Sequence, residues 1–208
     1  MTTTQLSQDP SPATTGIAAG WAATAPLVVA PALLAIGTVL MITPNEWTVA
    51  HLTFLGGAVA MLAVGGMLFR LFTQAGAAYW LGRIGGALTI AGALTLSGQF
   101  VIDIAVMRLA EGESEAMSTM FNQLQESWVL SATFYSVGPA LLYLGLAAAG
   151  IALLRSSLVA PGWILTAGAL LMASARIVDI RAIEVVALVL VLGALTWTAQ
   201  AIRTGRLA

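Results

Sequence analysis

Six apolar stretches with little or no interrupting charge occupy most of the chain between Trp21 and Ile202. They run from Trp21 to Ile42, Val49 to Phe69, Ile84 to Leu109, Trp128 to Leu154, Pro161 to Ile177 and Ala182 to Ile202. A helix needs about 20 apolar residues to cross the roughly 30 Å hydrocarbon core of a bilayer. Inside that core every backbone polar group must be satisfied within the segment, which an α-helix does. Only 8% of the 208 residues are charged, against about 25% in an ordinary soluble domain, so polar side chains are too few to cover a globular surface. The expected fold class is all-α, a polytopic transmembrane helix bundle of six spans.

Arginine placement sets the expected orientation. Arg70 and Arg83 bracket the turn between the second and third spans, Arg155 lies between the fourth and fifth, and Arg203 and Arg206 follow the sixth. With six spans these five share one side, the cytoplasm, and both termini lie there too. Eight of the nine acids (Glu46, Asp103, Glu111, Glu113, Glu115, Glu126, Asp179 and Glu184) lie toward the opposite side. Residues 1–20 are polar and rich in Thr, Ser and Pro, and are expected to form a disordered cytoplasmic tail, with residues 204–208 as a short C-terminal tail. No Lys or Arg precedes Arg70, so the first span lacks the basic region of a signal peptide and is expected to stay in the protein. All eight basic residues are Arg, which together with the high Ala and Gly content suggests a GC-rich bacterial genome. The expected location is the inner (plasma) membrane, multi-pass.

The long connection before the fourth span contains SEAMSTMFNQLQESW, where Met117, Met120, Phe121, Leu124 and Trp128 recur at steps of three and four. That is a helical stripe, and segment 114–127 reads as an amphipathic helix along the outer interface. A lid that only covers the bundle and a functional gate are both compatible with it.

The polar residues of the outer third form the candidate site. Ionisable groups within a span are costly unless paired or wet. Asp103 follows Gln99 by one helical turn, so both share a face. In RIVDIRAIE, residues 176–184, a helical path puts Arg176 three before Asp179 and Arg181 three before Glu184, spacings at which side chains pair. His51 opens the second span on the same side, and Tyr135 lies in the outer half of the fourth. The cluster is thus His51, Gln99, Asp103, Tyr135, Arg176, Asp179, Arg181 and Glu184. It reads either as an electroneutral network fastening the spans or as a polar pocket beneath the outer surface, with Asp103 and Asp179 as the candidate catalytic carboxyls. RIVDIRAIE itself is expected to be a tight outer turn, half-buried and built from residues that stay helical. VIDIA at 101–105 and IVDIR at 177–181 also echo each other, as do MLFR and ALLR, which hints at an internal repeat.

Other chemistries are excluded. There is no Cys for disulfides or thiolate ligands and only one His, so neither a metal nor any other cofactor is expected. No nucleotide loop, HExxH, GxSxG or arginine ladder occurs. A net charge of −1 gives no reason to expect nucleic acid. The expected partners are membrane lipids, with a lipophilic small molecule or a membrane protein complex as further candidates.

With AHLTFLGG opening the second span and LLRSSLVAPGWI linking the fourth to the fifth, the chain resembles small polytopic membrane proteins of high-GC bacteria that have no assigned activity. The resemblance covers roughly residues 25–205 and implies a six-helix bundle without implying chemistry. Three functions stay open: an accessory or apolar-ligand-binding bundle, a membrane enzyme whose desolvated carboxyl protonates an isoprenoid-like substrate, and a small proton- or ion-coupled transporter.

Overall fold

The computed structural model describes residues 20–43, 46–72, 76–178 and 180–206, and among them the chain is helical with no strand. Most of the expected N-terminal tail lies outside the described residues, and so does Asp179. Helix α1 (Trp21–Thr24) meets α2 (Pro26–Leu40) at Ala25, whose own dihedrals (φ −52°, ψ −40°) are right-handed helical. The junction has a chemical cause, because Pro26 has no N–H to offer the carbonyl of Ala22. Then follow α3 (Trp47–Leu71), α4 (Ala77–Leu109) and the short α5 (Ser114–Glu126). Helix α6 (Trp128–Leu130) continues through a π-helical segment (Ser131–Ser136) into α7 (Val137–Leu154), and α8 (Val159–Val178) and α9 (Arg181–Arg203) complete the chain. Five helices are long and apolar enough to cross a membrane: Trp47–Leu71, Ala77–Leu109, Trp128–Leu154, Val159–Val178 and Arg181–Arg203. That is the pattern of a multi-pass membrane protein.

Helices α2, α3, α4, α7, α8 and α9 each pack on the next in that order, and α9 returns to α2. The result is a closed up-and-down ring of six. Small residues set its tightest seam. A Cβ at Gly85 of α4 would stand 2.7 Å from the backbone nitrogen of Ala149 and 2.8 Å from the carbonyl oxygen of Gly145 on α7. Only glycine lets these two backbones come so close.

The ring has two unlike ends. At the end where α2, α7 and α9 begin or finish near Arg155 and Arg203, the interior is filled. Met61, Leu68, Leu146, Leu153, Leu165 and Leu195 are all at most 1% exposed there and toward the middle. Arginines at this end sit on aromatic rings: the Arg83 guanidinium lies 4.7 Å from the Phe69 centroid and 4.5 Å from that of Tyr79, and Arg203 lies 3.3 Å from that of Trp21. Anchored this way, α4 starts at Ala77, a turn and more before the expected Ile84.

At the opposite end α5 lies outside the ring with Met117, Met120, Phe121 and Leu124 half-buried and its polar residues exposed, as its stripe predicts. The turn between α8 and α9 differs from expectation in part. The tight turn is there and Arg176–Val178 and Arg181–Glu184 are helical, but Ile180 between them is extended (φ −108°, ψ 103°), so the helical path breaks at that point. Of its apolar residues Ile183 is half-buried as expected, whereas Ile177, Val178 and Ile180 are 84%, 53% and 47% exposed. These side chains fall on the outside of the ring. In a bundle surrounded by lipid an apolar side chain gains nothing from facing inward, because lipid tails are as apolar as the core.

Candidate functional site

A cavity of about 150 Å³ lies on the ring axis at the end away from the arginine-capped turns. All six ring helices line it. The lining repeats at helical spacing on each: His51 and Phe54 from α3; Leu96, Gln99, Phe100 and Asp103 from α4; Pro139, Leu142 and Tyr143 from α7. Met172 and Arg176 come from α8, Arg181, Glu184 and Leu188 from α9, and Leu34 from α2 with Met41 at its end. Steps of three, four and seven put such residues on one face of a helix, so each helix turns one stripe to the axis. Leu34, Leu96, Leu142 and Leu188 make the deeper part apolar apart from Tyr143, and the positions nearer the helix ends are polar apart from Met41.

Asp103 is the centre of the polar part and is 5% exposed. The Tyr135 hydroxyl donates to its Oδ1 at 2.8 Å. His51 Nε2 stands 3.7 Å from its Oδ2, close enough for attraction and too far for a direct hydrogen bond. The other ring nitrogen of His51 is fixed: Nδ1 lies 2.8 Å from the carbonyl oxygen of Trp47. A carbonyl only accepts, so Nδ1 carries a proton and Nε2 is the nitrogen that faces the carboxyl. Aromatic rings hold the imidazole in place. Trp47 stacks on it with centroids 3.6 Å apart, and Phe54 and Phe100 meet it edge-on at 6.1 and 6.0 Å.

Tyr135 reaches Asp103 because α-helical winding fails around it. Pro139 has no N–H for the carbonyl of Tyr135, and the Val137 N–H bonds instead to Ala132, five residues back. The wider π-helical turn that results re-aims the side chains of Ser131–Ser136, a device found often at functional sites.

Gln99 differs from its neighbours. It is 8% exposed, and its Oε1 is buried without a hydrogen-bond partner among the described residues. An unpaired buried acceptor costs about 1–3 kcal/mol, so the structure carries it at a loss unless something else supplies a donor.

Of the residues singled out from the sequence, His51, Gln99, Asp103, Arg176, Arg181 and Glu184 line the one cavity, and Tyr135 contacts it through Asp103. Asp179 lies outside the described residues, so the pair proposed for it with Arg176 stays an expectation. Arg181 pairs with Glu184 at 3.3 Å, the spacing of three that the sequence suggested. Sequence reasoning did not single out Tyr143, Trp47, Phe54 or Phe100. The signal was present: Trp47, His51 and Phe54 recur at steps of four and three, and Tyr143 follows Pro139 by one turn. Compared with known proteins, the chain matches no family model, no curated protein and no solved structure.

Proposed function

We propose that this chain is a multi-pass protein of a bacterial inner membrane, with six spans and both termini cytoplasmic, whose axial cavity binds a lipophilic small molecule from the outer side. The sixth span is α1 and α2 together. Trp21 to Leu40 is twenty residues with a helical residue at the junction, about 30 Å of helix and the thickness of the hydrocarbon core. Orientation follows from Arg70, Arg83, Arg155 and Arg203, which share the filled end of the ring.

The observation that carries the binding reading is the cavity itself, apolar in depth, polar near the helix ends and lined by every ring helix. A cavity of about 150 Å³ is large enough for a benzene-sized guest. The guest is therefore a ring, or the end of a longer chain whose remainder leaves through the mouth. The filled half of the ring supports binding over passage, because Leu146 and Met61 are buried there, 1% and 0% exposed.

Saturation-transfer NMR with p-xylene on protein in lipid nanodiscs tests this. Transfer from the wild type and its loss in Leu96→Trp, which fills the cavity from a half-buried position, are the expected results. Equal transfer in the two proteins defeats the binding reading.

A second reading is favoured by one contact set. Asp103, held by Tyr135 and facing His51, is built to hold and return a proton, as an acid–base enzyme acting on an isoprenoid-like substrate requires. Under that reading Asp103→Asn keeps ligand binding and removes all turnover; retained turnover of a substrate found by lipid-extract screening rejects it.

A further inference from the structure

We infer that the ligand of this cavity is a neutral hydroxyl-bearing lipophile, an alcohol or a phenol, that enters hydroxyl-first. The inference rests on the binding reading above and adds the chemistry of the group that is recognised. It comes from counting donors and acceptors at the polar end of the cavity.

Three buried groups there present acceptors. Gln99 Oε1 has no hydrogen-bond partner among the described residues. The Asp103 carboxyl takes the Tyr135 hydroxyl on Oδ1, with the Gln99 amide beside it and the imidazole 3.7 Å from Oδ2. In the neutral ring His51 Nε2 offers a lone pair, since Nδ1–H is committed to the Trp47 carbonyl. Gln99, His51 and Asp103 are 8%, 6% and 5% exposed, so bulk water does not make good the missing donors. A guest that brings an O–H into this corner satisfies an acceptor that the protein leaves bare.

Charge narrows the class further. A carboxylate or phosphate pushed to this depth would meet the Asp103 carboxyl and no committed cation. The cations of the cavity, Arg176 and Arg181, belong to its mouth, Arg176 being exposed and Arg181 already paired with Glu184 at 3.3 Å. An ammonium would pair with Asp103 but must first pass those two arginines. A neutral donor avoids both penalties, and its hydrocarbon part lies against Leu142, Met172 and Leu188.

Three probes of nearly equal size separate the cases: p-cresol, p-xylene and p-toluate, each titrated against protein in nanodiscs by ligand-observed NMR, with Leu96→Trp as the background. The expected result is that p-cresol binds about tenfold or more tightly than p-xylene, the effect of one hydrogen bond to a buried acceptor. In Gln99→Leu that preference falls to about twofold or less while p-xylene binds at least as well as before. Equal affinities for cresol and xylene overturn the hydroxyl assignment and leave the cavity reading standing. Tightest binding of p-toluate also overturns it and moves recognition to Arg176 and Arg181. No cavity-dependent binding of any probe defeats both readings.

Discussion

Asp103 would be a liability in a span if it stood alone, since a lone Asp at a helix centre costs about 2.5 to 3.5 kcal/mol on insertion scales. Its cost is offset by the Tyr135 hydroxyl, brought from outside its own helix, and by the Gln99 amide one turn before it. Removing the donor should therefore show in stability: Tyr135→Phe is expected to lower stability by about 1–3 kcal/mol, read as a fall in the thermal midpoint in detergent. A midpoint unchanged by Tyr135→Phe means that the contact does not hold Asp103. Gln99 predicts the opposite sign. Because its carbonyl oxygen is buried without a partner, Gln99→Leu of ligand-free protein is expected to leave the midpoint unchanged or raise it. A clear fall would mean that Gln99 has a structural partner and is not waiting for a ligand. Loss of binding together with a gain in stability is the usual sign of a residue kept for function.

At the scale of the helix, the α4–α7 seam and the π-helical segment do different work. The seam fixes the distance between Asp103 and α7, and the π turn aims Tyr135 across it. Gly85 sits where the two backbones nearly touch, so Gly85→Ala has no flexible side chain to push aside. It is expected to cost about 1–3 kcal/mol as overpacking, and equilibrium unfolding in mixed micelles measures it. Gly66, whose added Cβ would meet nothing within 4 Å, is the matched control, and Gly66→Ala is expected to be neutral or slightly stabilising. How much was legible at this scale follows from the range of each interaction. The Leu96, Gln99, Phe100 and Asp103 stripe could be read from spacing alone, because helical periodicity is local. The break at Ile180 could not. RIVDIRAIE contains no Gly, Pro, Asn or Ser, and its helices end because both must pack back into the ring, a demand made by other helices.

For the whole molecule, the alternation of the ring puts the starts of α3, α7 and α9 and the ends of α2, α4 and α8 at the cavity end. Six spans therefore predict that Thr119 on α5 and Ser157 in the α7–α8 turn face opposite compartments. The chain has no Cys, so single cysteines introduced at these exposed positions report without background. Thr119→Cys is expected to react with a membrane-impermeant maleimide on intact cells and Ser157→Cys only after the membrane is opened. Labelling of both from the outside would refute the topology.

By itself, the sequence determined the helical bundle, the length of its apolar segments, the asymmetry of arginine between its ends, and the polar residue on each helix face. Composition and a period of 3.6 residues are local properties, so one chain read end to end contains them. Only the tertiary structure decided that the six stripes meet on one axis, that a cavity remains at one end while leucines fill the other, and that Gln99 is left without a partner. Those facts depend on which helix lies beside which and how closely. Glycine contacts more than fifty residues apart in the chain set that closeness, and no local pattern encodes it.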